Sequence, residues 1–384
     1  AATGVTVEET EDTVTLANQF VRVVVDKKTG LMKSLRDVAS GREFLSRPSN
    51  RILAWYDRPT EYSAWNIDPN YRDHPITIPE RAEVKLTKNS GFAVEVLATR
   101  SMKRQGYITT FEQRVRLLDN DPVVYIDVDS DYHLLDALVK LEFNTNLVSD
   151  KIAVDGPYLV MERPTHPKTD REKARWEMVN QRFIDLSEAG VGLTLLNRGK
   201  YGFSITDDGK GFRQTIIKSA RYPRANPGAY EVKHHYQSFP IPTGFLDQGA
   251  HHMELGLLIH QGGWREAKLW EAGYNFNTPL EAVWATPHQG TLPPTGSMIT
   301  VESDHVYLGA IKRAEDDGDL VVRLIEATGQ PGAATVKFGN WKVKGAVETD
   351  ILEMNPVEAA TSGNSLTVEM QPWQVRTFKV KVTK

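Results

Sequence analysis

Asp185-Leu-Ser-Glu-Ala-Gly-Val-Gly-Leu-Thr-Leu-Leu-Asn-Arg-Gly-Lys-Tyr-Gly202 is the stretch around which the chain organises itself. Its middle, Val191 to Leu196, is almost continuously apolar, with a single Thr. That pattern predicts a short strand buried on both faces. Gly190 and Gly192 let the backbone turn tightly or approach a neighbour closely. Asn197, Gly199 and Gly202 predict an end to the strand and a loop carrying Arg198, Lys200 and Tyr201. Many binding sites are built on such loops. The residues alone favour the plainer reading, a central sandwich strand ending in a surface turn.

Outward from this strand, the pattern is β throughout. Residues 14–36 predict a hairpin, with Phe20 to Val25 shared between two faces and Asp26-Lys-Lys-Thr-Gly30 as its turn. Ala82–Thr87 and Phe92–Arg100 alternate around Asn89-Ser-Gly91. Tyr107–Leu118 and Val123–Val128 flank Asp119-Asn-Asp-Pro122. Regularly spaced strands joined by turns are the signature of a sandwich or barrel. Leu134–Phe143 continues the series, although its Leu-Leu-Asp-Ala-Leu-Val pattern also fits one or two helical turns. Phe212–Ser219 and Met253–His260 read as further strands, and Gly263–Gly273 as the best short helix. Residues 276–300 hold Pro279, Pro287, Pro293 and Pro294 and read as a linker. Beyond it, Val306–Lys312, Leu320–Glu326, Ala334–Phe338, Val347–Leu352, Ser365–Met370 and Val375–Val382 predict a second small β unit. The expected division is a large domain over 1–275, a linker over 276–300 and a small domain over 301–384.

Composition narrows the function classes. The 384 residues are 40% hydrophobic and 25% charged, the profile of a soluble globular protein. Net charge is −4 and no long basic run occurs, so nucleic acid and anionic membrane are not expected partners. No apolar run is long enough to span a bilayer. The chain has no cysteine, which removes disulfides and thiolate metal sites. It also has no Asn-x-Ser/Thr acceptor, and the two facts together predict a cytoplasmic setting. The first residues, Ala-Ala-Thr-Gly, lack both Met and a signal-peptide pattern. They predict a trimmed chain or one that begins within a longer protein.

Residues 51–75 break the β pattern. Trp55, Tyr56, Tyr62, Trp65 and Tyr71 sit among Asp57, Arg58, Glu61, Asn66, Asp68, Arg72, Asp73 and His74, punctuated by Pro59, Pro69 and Pro75. A long aromatic and polar stretch without regular structure is more often functional than a spacer. A sugar site needs such a mixture, because a pyranose stacks its C–H face on a ring and its hydroxyls take paired hydrogen bonds. The competing reading is that the tryptophans plug one end of a sandwich. His234, His235, His251, His252 and His260 fit no standard zinc spacing, so no metal is expected there. Gly-x-Ser-x-Gly, P-loop, His-Glu-x-x-His and Rossmann patterns are all missing.

Several stretches together resemble one family. Leu16-Ala-Asn-Gln-Phe-Val-Arg-Val23, Asp26-Lys-Lys-Thr-Gly-Leu-Met-Lys-Ser-Leu35 and Ser40-Gly-Arg-Glu43 are like the opening of its C-terminal β region. Arg163-Pro-Thr-His166, Asp185 to Asn197 and Lys200-Tyr-Gly202 are similar to its central signature. Asp247-Gln-Gly-Ala-His251, Asn277-Thr-Pro-Leu280, Ala310 to Asp316 and Val322 to Gly329 complete the match. The family is glycoside hydrolase family 38, the α-mannosidases, and the resemblance is to its cytosolic and bacterial branch. It implies an all-β fold: a mutarotase-like β supersandwich followed by a small β-sandwich domain.

The resemblance also implies a missing part. The family's catalytic Asp nucleophile and zinc ligands lie in an N-terminal domain that nothing here matches. The chain is therefore expected to hold no catalytic residue, metal or cofactor of its own. It should be the C-terminal β portion of a retaining α-mannosidase, completing the sugar cleft of a catalytic domain or subunit that carries the zinc. The expected ligand is an α-mannoside or related glycan. Trp65, Asn66 and Asp68 are expected to stack on the sugar and bind its hydroxyls, with Lys218 and Arg221 as cationic donors at the cleft wall. Relatives tend to read Trp-Asp-Ala-Trp-Asp-Ile-Asp where this chain has Tyr62-Ser-Ala-Trp-Asn-Ile-Asp68. They read Leu-Leu-Arg-Ser-Pro where it has Ile216-Ile-Lys-Ser-Ala220, and an insertion runs from about Ala225 to Phe245. A sugar cleft here requires Tyr62–Asp68 and Lys218–Tyr222 to lie together. Two other classes stay open: a free-standing carbohydrate-binding module, and a mutarotase-like epimerase using His133, His166 or His251 with a Glu partner.

Overall fold

The computed structural model describes residues 4–60, 62–104, 106–220, 244–291 and 293–383. The chain divides into two compact units. The first comprises Ala1–Val154 and Glu162–Asn277, and the second Asp155–Met161 and Thr278–Lys384.

Apolar alternation builds the first unit. In Val21–Asp26 every second residue is buried, and Tyr107–Leu118 turns Thr109, Phe111, Gln113, Val115 and Leu117 inward. The hairpin after Val21–Asp26 closes because Asp26 accepts from the backbone N–H of Lys28 at 3.0 Å and of Thr29 at 2.8 Å. Gly30 follows at φ 68°, where a Cβ would stand 2.3 Å from that of Ala98. Thr6–Glu9, Thr13–Ala17, Val21–Asp26 and Met32–Asp37 form a four-stranded sheet in that order.

Two larger sheets carry the rest. The nine-stranded sheet runs, in spatial order, Leu159–Pro164, Lys151–Gly156, Phe183–Glu188, Val191–Arg198, Gly249–Gln261, Val123–Tyr132, Tyr107–Leu118, Ala93–Arg104 and Glu83–Asn89. The six-stranded sheet runs Met178–Val179, Gly202–Ile205, Gly211–Ser219, Ala137–Asn144, Arg51–Tyr56 and Pro75–Ile76. One continuous core draws on all three sheets, among them Leu16, Val23, Val96, Val115, Ile126, Leu141, Phe143, Leu193 and Leu255. Each such side chain contributes about 1.5–3 kcal/mol when fully buried. This is the supersandwich expected from the sequence, and the fold is all-β.

The organising strand, Val191–Arg198, lies inside the nine-stranded sheet, and its six inner residues are buried. At Gly192 a Cβ would fall 2.4 Å from the His260 ring and 2.5 Å from Ser187 Oγ, so only glycine fits there. Arg198 belongs to the strand rather than to the following loop, paired in register with Glu254. Leu134–Phe143 resolves as the strand Ala137–Asn144, not helical turns. Its sheet neighbours on both sides satisfy its backbone. The short helix is Leu269–Asn277 rather than Gly263–Gly273, because Lys268 at φ 49° interrupts the chain just before it.

The second unit has two sheets. Thr300–Glu302, Gly332–Lys337, Ser365–Met370 and Thr361–Ser362 form one. Val306–Arg313, Leu320–Glu326, Val375–Thr383, Lys342–Thr349 and Val357–Ala359 form the other. Val322, Leu324, Val336, Phe338, Leu366 and Phe378 share its core. The strand expected over Val347–Leu352 ends at Thr349. Asp350 accepts there from the N–H of Leu352 at 3.0 Å and of Met354 at 2.9 Å, which turns the chain.

Candidate functional site

The strand Ala137–Asn144 has two different faces. Val139, Leu141 and Phe143 point into the core, while Leu138, Lys140 and Glu142 point the other way. Strand alternation thereby places a row of charge on the outer face of the six-stranded sheet. Trp55, Tyr71 and Leu138 form a small apolar cluster on this face, joined by Leu53, Ile67 and Trp176. The irregular stretch between Tyr56 and Pro75 lies over it.

A buried cation anchors that stretch. Lys140 is fully buried, and its Nζ donates to Glu177 at 2.6 and 2.5 Å and to Ser204 Oγ at 2.9 Å. The Tyr71 hydroxyl donates to the same carboxylate at 2.7 Å. Burial pushes the Lys140 ammonium down to about 8, and Glu177 opposes that shift. Burial and the Glu177 charge raise the Tyr71 phenol. Arg72 donates to the carbonyl of Trp176 at 3.2 Å and to Asp207 at 3.3 Å, and Trp176 Nε1 donates to the carbonyl of Ile67 at 3.0 Å.

Tyr62–Asp68 forms a turn whose outermost residue is Trp65, 70% exposed. Its ring lies 5.7 Å from that of Tyr62, which adopts φ 53°. The backbone N–H groups of Trp65 and Asn66 donate to the Tyr62 carbonyl at 2.8 and 2.9 Å. Asn66 is exposed, and the Asp68 carboxylate accepts from Thr60 N at 2.7 Å and Thr60 Oγ1 at 2.9 Å. Lys218, from the strand Gly211–Ser219, donates to the carbonyl of Ser63 and, at 3.0 Å, to that of Asn66. Its ammonium also pairs at 3.3 Å with Asp57, whose carboxylate is buried. Burial raises the Asp57 carboxyl to about 6, against the pull of Lys218.

A cleft of about 260 Å³ opens beside this turn, lined by Tyr56, Asp57, Arg58, Pro59, Asp68, Asn70, Tyr71 and His74. Arg58 and Arg104 place their guanidinium carbons 4.6 and 5.0 Å from the centre of the Tyr56 ring. A second cleft of about 430 Å³ is lined by Arg72, Arg163–Pro167, Trp176 and Asp207 among others. Aromatic rings beside amides, carboxylates and guanidinium groups suit a polyhydroxylated ligand.

The structure brings four of the five sequence-selected residues, Trp65, Asn66, Asp68 and Lys218, to one place. Arg221 and Tyr222 lie outside the described residues, as do His234 and His235. Sequence reading placed Asp57 in the irregular stretch without selecting it as a site residue, and it missed Lys140 and Glu177. The signal for Lys140 is a charged residue in an otherwise apolar strand. Asp57, at a strand end before a Pro-punctuated loop, carries a weaker one.

Among the described residues, the polar histidine contacts are with aspartates, a hydroxyl and a backbone carbonyl. Among the described residues no three His, Asp or Glu side chains converge on a possible ion. His252 engages Asp129 at 2.6 Å, His260 engages Asp185 at 2.8 Å, and His251 meets the Asp247 carbonyl at 2.9 Å. His133 contacts Asp131 at 2.9 Å, and His166 contacts Thr165 at 3.2 Å.

The model of the glycosyl hydrolases family 38 C-terminal domain matches residues 16–226. That of the family 38 C-terminal beta sandwich domain matches residues 305–378. Alpha-mannosidase 2C1 of Mus musculus is 29% identical over 97% of this chain and 34% of its own length. The alpha-mannosidase of Saccharomyces cerevisiae is 24% identical over 96% of this chain and 35% of its own. The chain thus spans about a third of the length of the curated relatives it matches. An alpha-mannosidase structure from Enterococcus faecalis V583 superposes with a TM-score of 0.71 at 16% identity, covering 96% of this chain and 42% of that one. The likeness concerns the fold.

Proposed function

The chain belongs to glycoside hydrolase family 38, whose C-terminal region it carries, and from that premise we propose that it completes the sugar cleft of a retaining α-mannosidase. The observation that supports this most is the Trp65 turn. A large ring stands in solvent on a backbone fixed by Lys218, beside Asn66 and Asp68. Exposed aromatic surface held in a defined pose is what a pyranose face requires. Trp65 is the stacking face, and Asn66 and Asp68 meet sugar hydroxyls. Lys218 and Arg221 supply positive charge to the cleft wall.

The nucleophile and the zinc of the reaction belong to the N-terminal catalytic part, as a covalently joined domain or a partner subunit. No step is assigned to zinc on the residues of this chain. The division into residues 1–275, 276–300 and 301–384 is part of the same reading, as is the cytoplasmic setting suggested by the cysteine-free composition. No helix among the described residues is long and apolar enough to cross a membrane.

Reconstitution tests the proposal. The 384-residue chain alone should not turn over an aryl α-mannoside, and addition of the catalytic part should restore turnover. Turnover by the pure chain, abolished by a chelator, would overturn this assignment. A free-standing carbohydrate-binding module is the second reading, favoured by the same exposed ring. Stoichiometric mannoside binding by the isolated chain, unchanged when the catalytic part is added, would select it.

A further inference from the structure

An ammonium group has three N–H bonds, and Lys218 directs all of its observed contacts at one distant segment. Two are the carbonyls of Ser63 and Asn66, 155 and 152 residues away in sequence. The third is the carboxylate of Asp57. Both Asp57 oxygens are sealed from water, and among the described residues no donor besides the Lys218 ammonium reaches either. The ion pair with Lys218 is what holds this carboxylate. The turn it serves includes Tyr62 in the left-handed region, a conformation that a non-glycine residue keeps only when its surroundings impose it.

We propose that Asp57 and Lys218 are a positioning pair: the carboxylate fixes the ammonium, the ammonium fixes the Ser63 and Asn66 carbonyls, and acid uncouples the pair and frees the Trp65 turn. The effect on sugar binding rests on the reading of Trp65 given above, but the effect on the turn does not.

The charges around Asp57 set the direction. Lys218 favours its ionised form, whereas burial and the facing carboxylates of Asp68 and Glu177 oppose it. Arg58 is turned to Asp136, which it contacts at 3.1 Å. Asp57 therefore takes up a proton at about pH 6, well above the ordinary 3.8. Below that pH the ammonium loses its counter-charge, and with it the fixed position from which it holds the two carbonyls. Global stability moves the opposite way. A carboxyl whose folded value is raised contributes most below its unfolded value and loses that contribution as pH rises through the folded one. Acid thus loosens the turn while relieving the cost of a buried charge. Asp57→Asn imitates the protonated state and separates the two effects.

The test is hydrogen exchange of the segment 60–68 in the intact chain, normalised to an unstructured peptide at each pH. Protection of the Trp65 and Asn66 amides should fall roughly tenfold from about pH 7.5 to about pH 5, the worth of a charge-assisted hydrogen bond. Asp57→Asn and Lys218→Met should lack the protection at both values, and Lys218→Arg should keep part of it. The melting temperature of Asp57→Asn should equal or exceed that of the wild type at the higher pH. Unchanged wild-type protection between the two pH values would overturn the proposal. So would wild-type protection in Asp57→Asn, or a loss of protection matched by global destabilisation. Loss of protection with no change in the reconstituted enzyme's affinity for an α-mannoside would support the positioning pair and remove Trp65 from the sugar site.

Discussion

Two aspartates of the first unit, Asp185 and Asp57, are each 1% exposed, yet their surroundings differ. Asp185 accepts from Thr194 at 2.9 Å and Ser187 at 2.5 Å, and it meets His260 Nε2 at 2.8 Å. All three partners come from its own strand or from the two strands that follow it across the nine-stranded sheet. Asp57 has one ion pair, reaching to the far end of another strand. A buried carboxylate surrounded by donors locks a fold. One with a single cation stays close to neutrality and ties its protonation to the position of that cation. The lesson is that the family's signature stretch is architecture, while the irregular stretch carries the adjustable parts.

The largest expected effect tests the locked member of the pair. Asp185→Ala strips His260, Thr194 and Ser187 of their shared acceptor in the core. It should cost about 3–5 kcal/mol in urea unfolding, the usual penalty for removing one partner of a buried polar pair. A loss under about 1 kcal/mol would mean that the cluster is not what holds these strands, and the contrast would collapse.

Next comes Asp57, with the opposite sign. Asp57→Asn should raise unfolding stability near neutral pH by on the order of 2–3 kcal/mol, because a buried charge is removed. The gain should shrink through about pH 6 and vanish near pH 4, where the wild-type carboxyl is already protonated. A destabilised Asp57→Asn would make the two aspartates alike.

The smallest effect on stability belongs to Trp65. With its ring mostly in water, Trp65→Ala should move unfolding stability by no more than about 0.5 kcal/mol. In the reconstituted enzyme it should weaken α-mannoside binding by about 1–3 kcal/mol, the scale of a lost stacking contact. A stability loss comparable to that of a buried tryptophan would return Trp65 to packing. Cleavage in the 276–300 stretch by limited proteolysis, with both flanking pieces left intact, checks the proposed linker.

Much of this was legible in the residues. Val191 to Leu196 announced a strand buried on both faces, and the alternation in Tyr107–Leu118 announced one with two unlike faces. Both signals are local, because side chains two apart share a face whatever the strand's partners. Composition likewise marked residues 51–75 as the place to look. The expected irregularity holds only in part, because Arg51–Tyr56 is a regular strand of the six-stranded sheet and Pro69–Asp73 a short helix. Element boundaries were less legible. The helix moved to Leu269–Asn277 because a single backbone angle at Lys268 decided its start.

What the sequence determined by itself was therefore the kind of element, its buried face and the family resemblance, since periodicity and motif are written along the chain. The tertiary structure alone decided that Lys218 would meet Ser63, Asn66 and Asp57, and that Lys140 would meet Glu177 beside Tyr71. These contacts join segments up to 161 residues apart. No local pattern encodes them, because a charge buried in the fold is stabilised by whichever partner the packed sheets bring within reach.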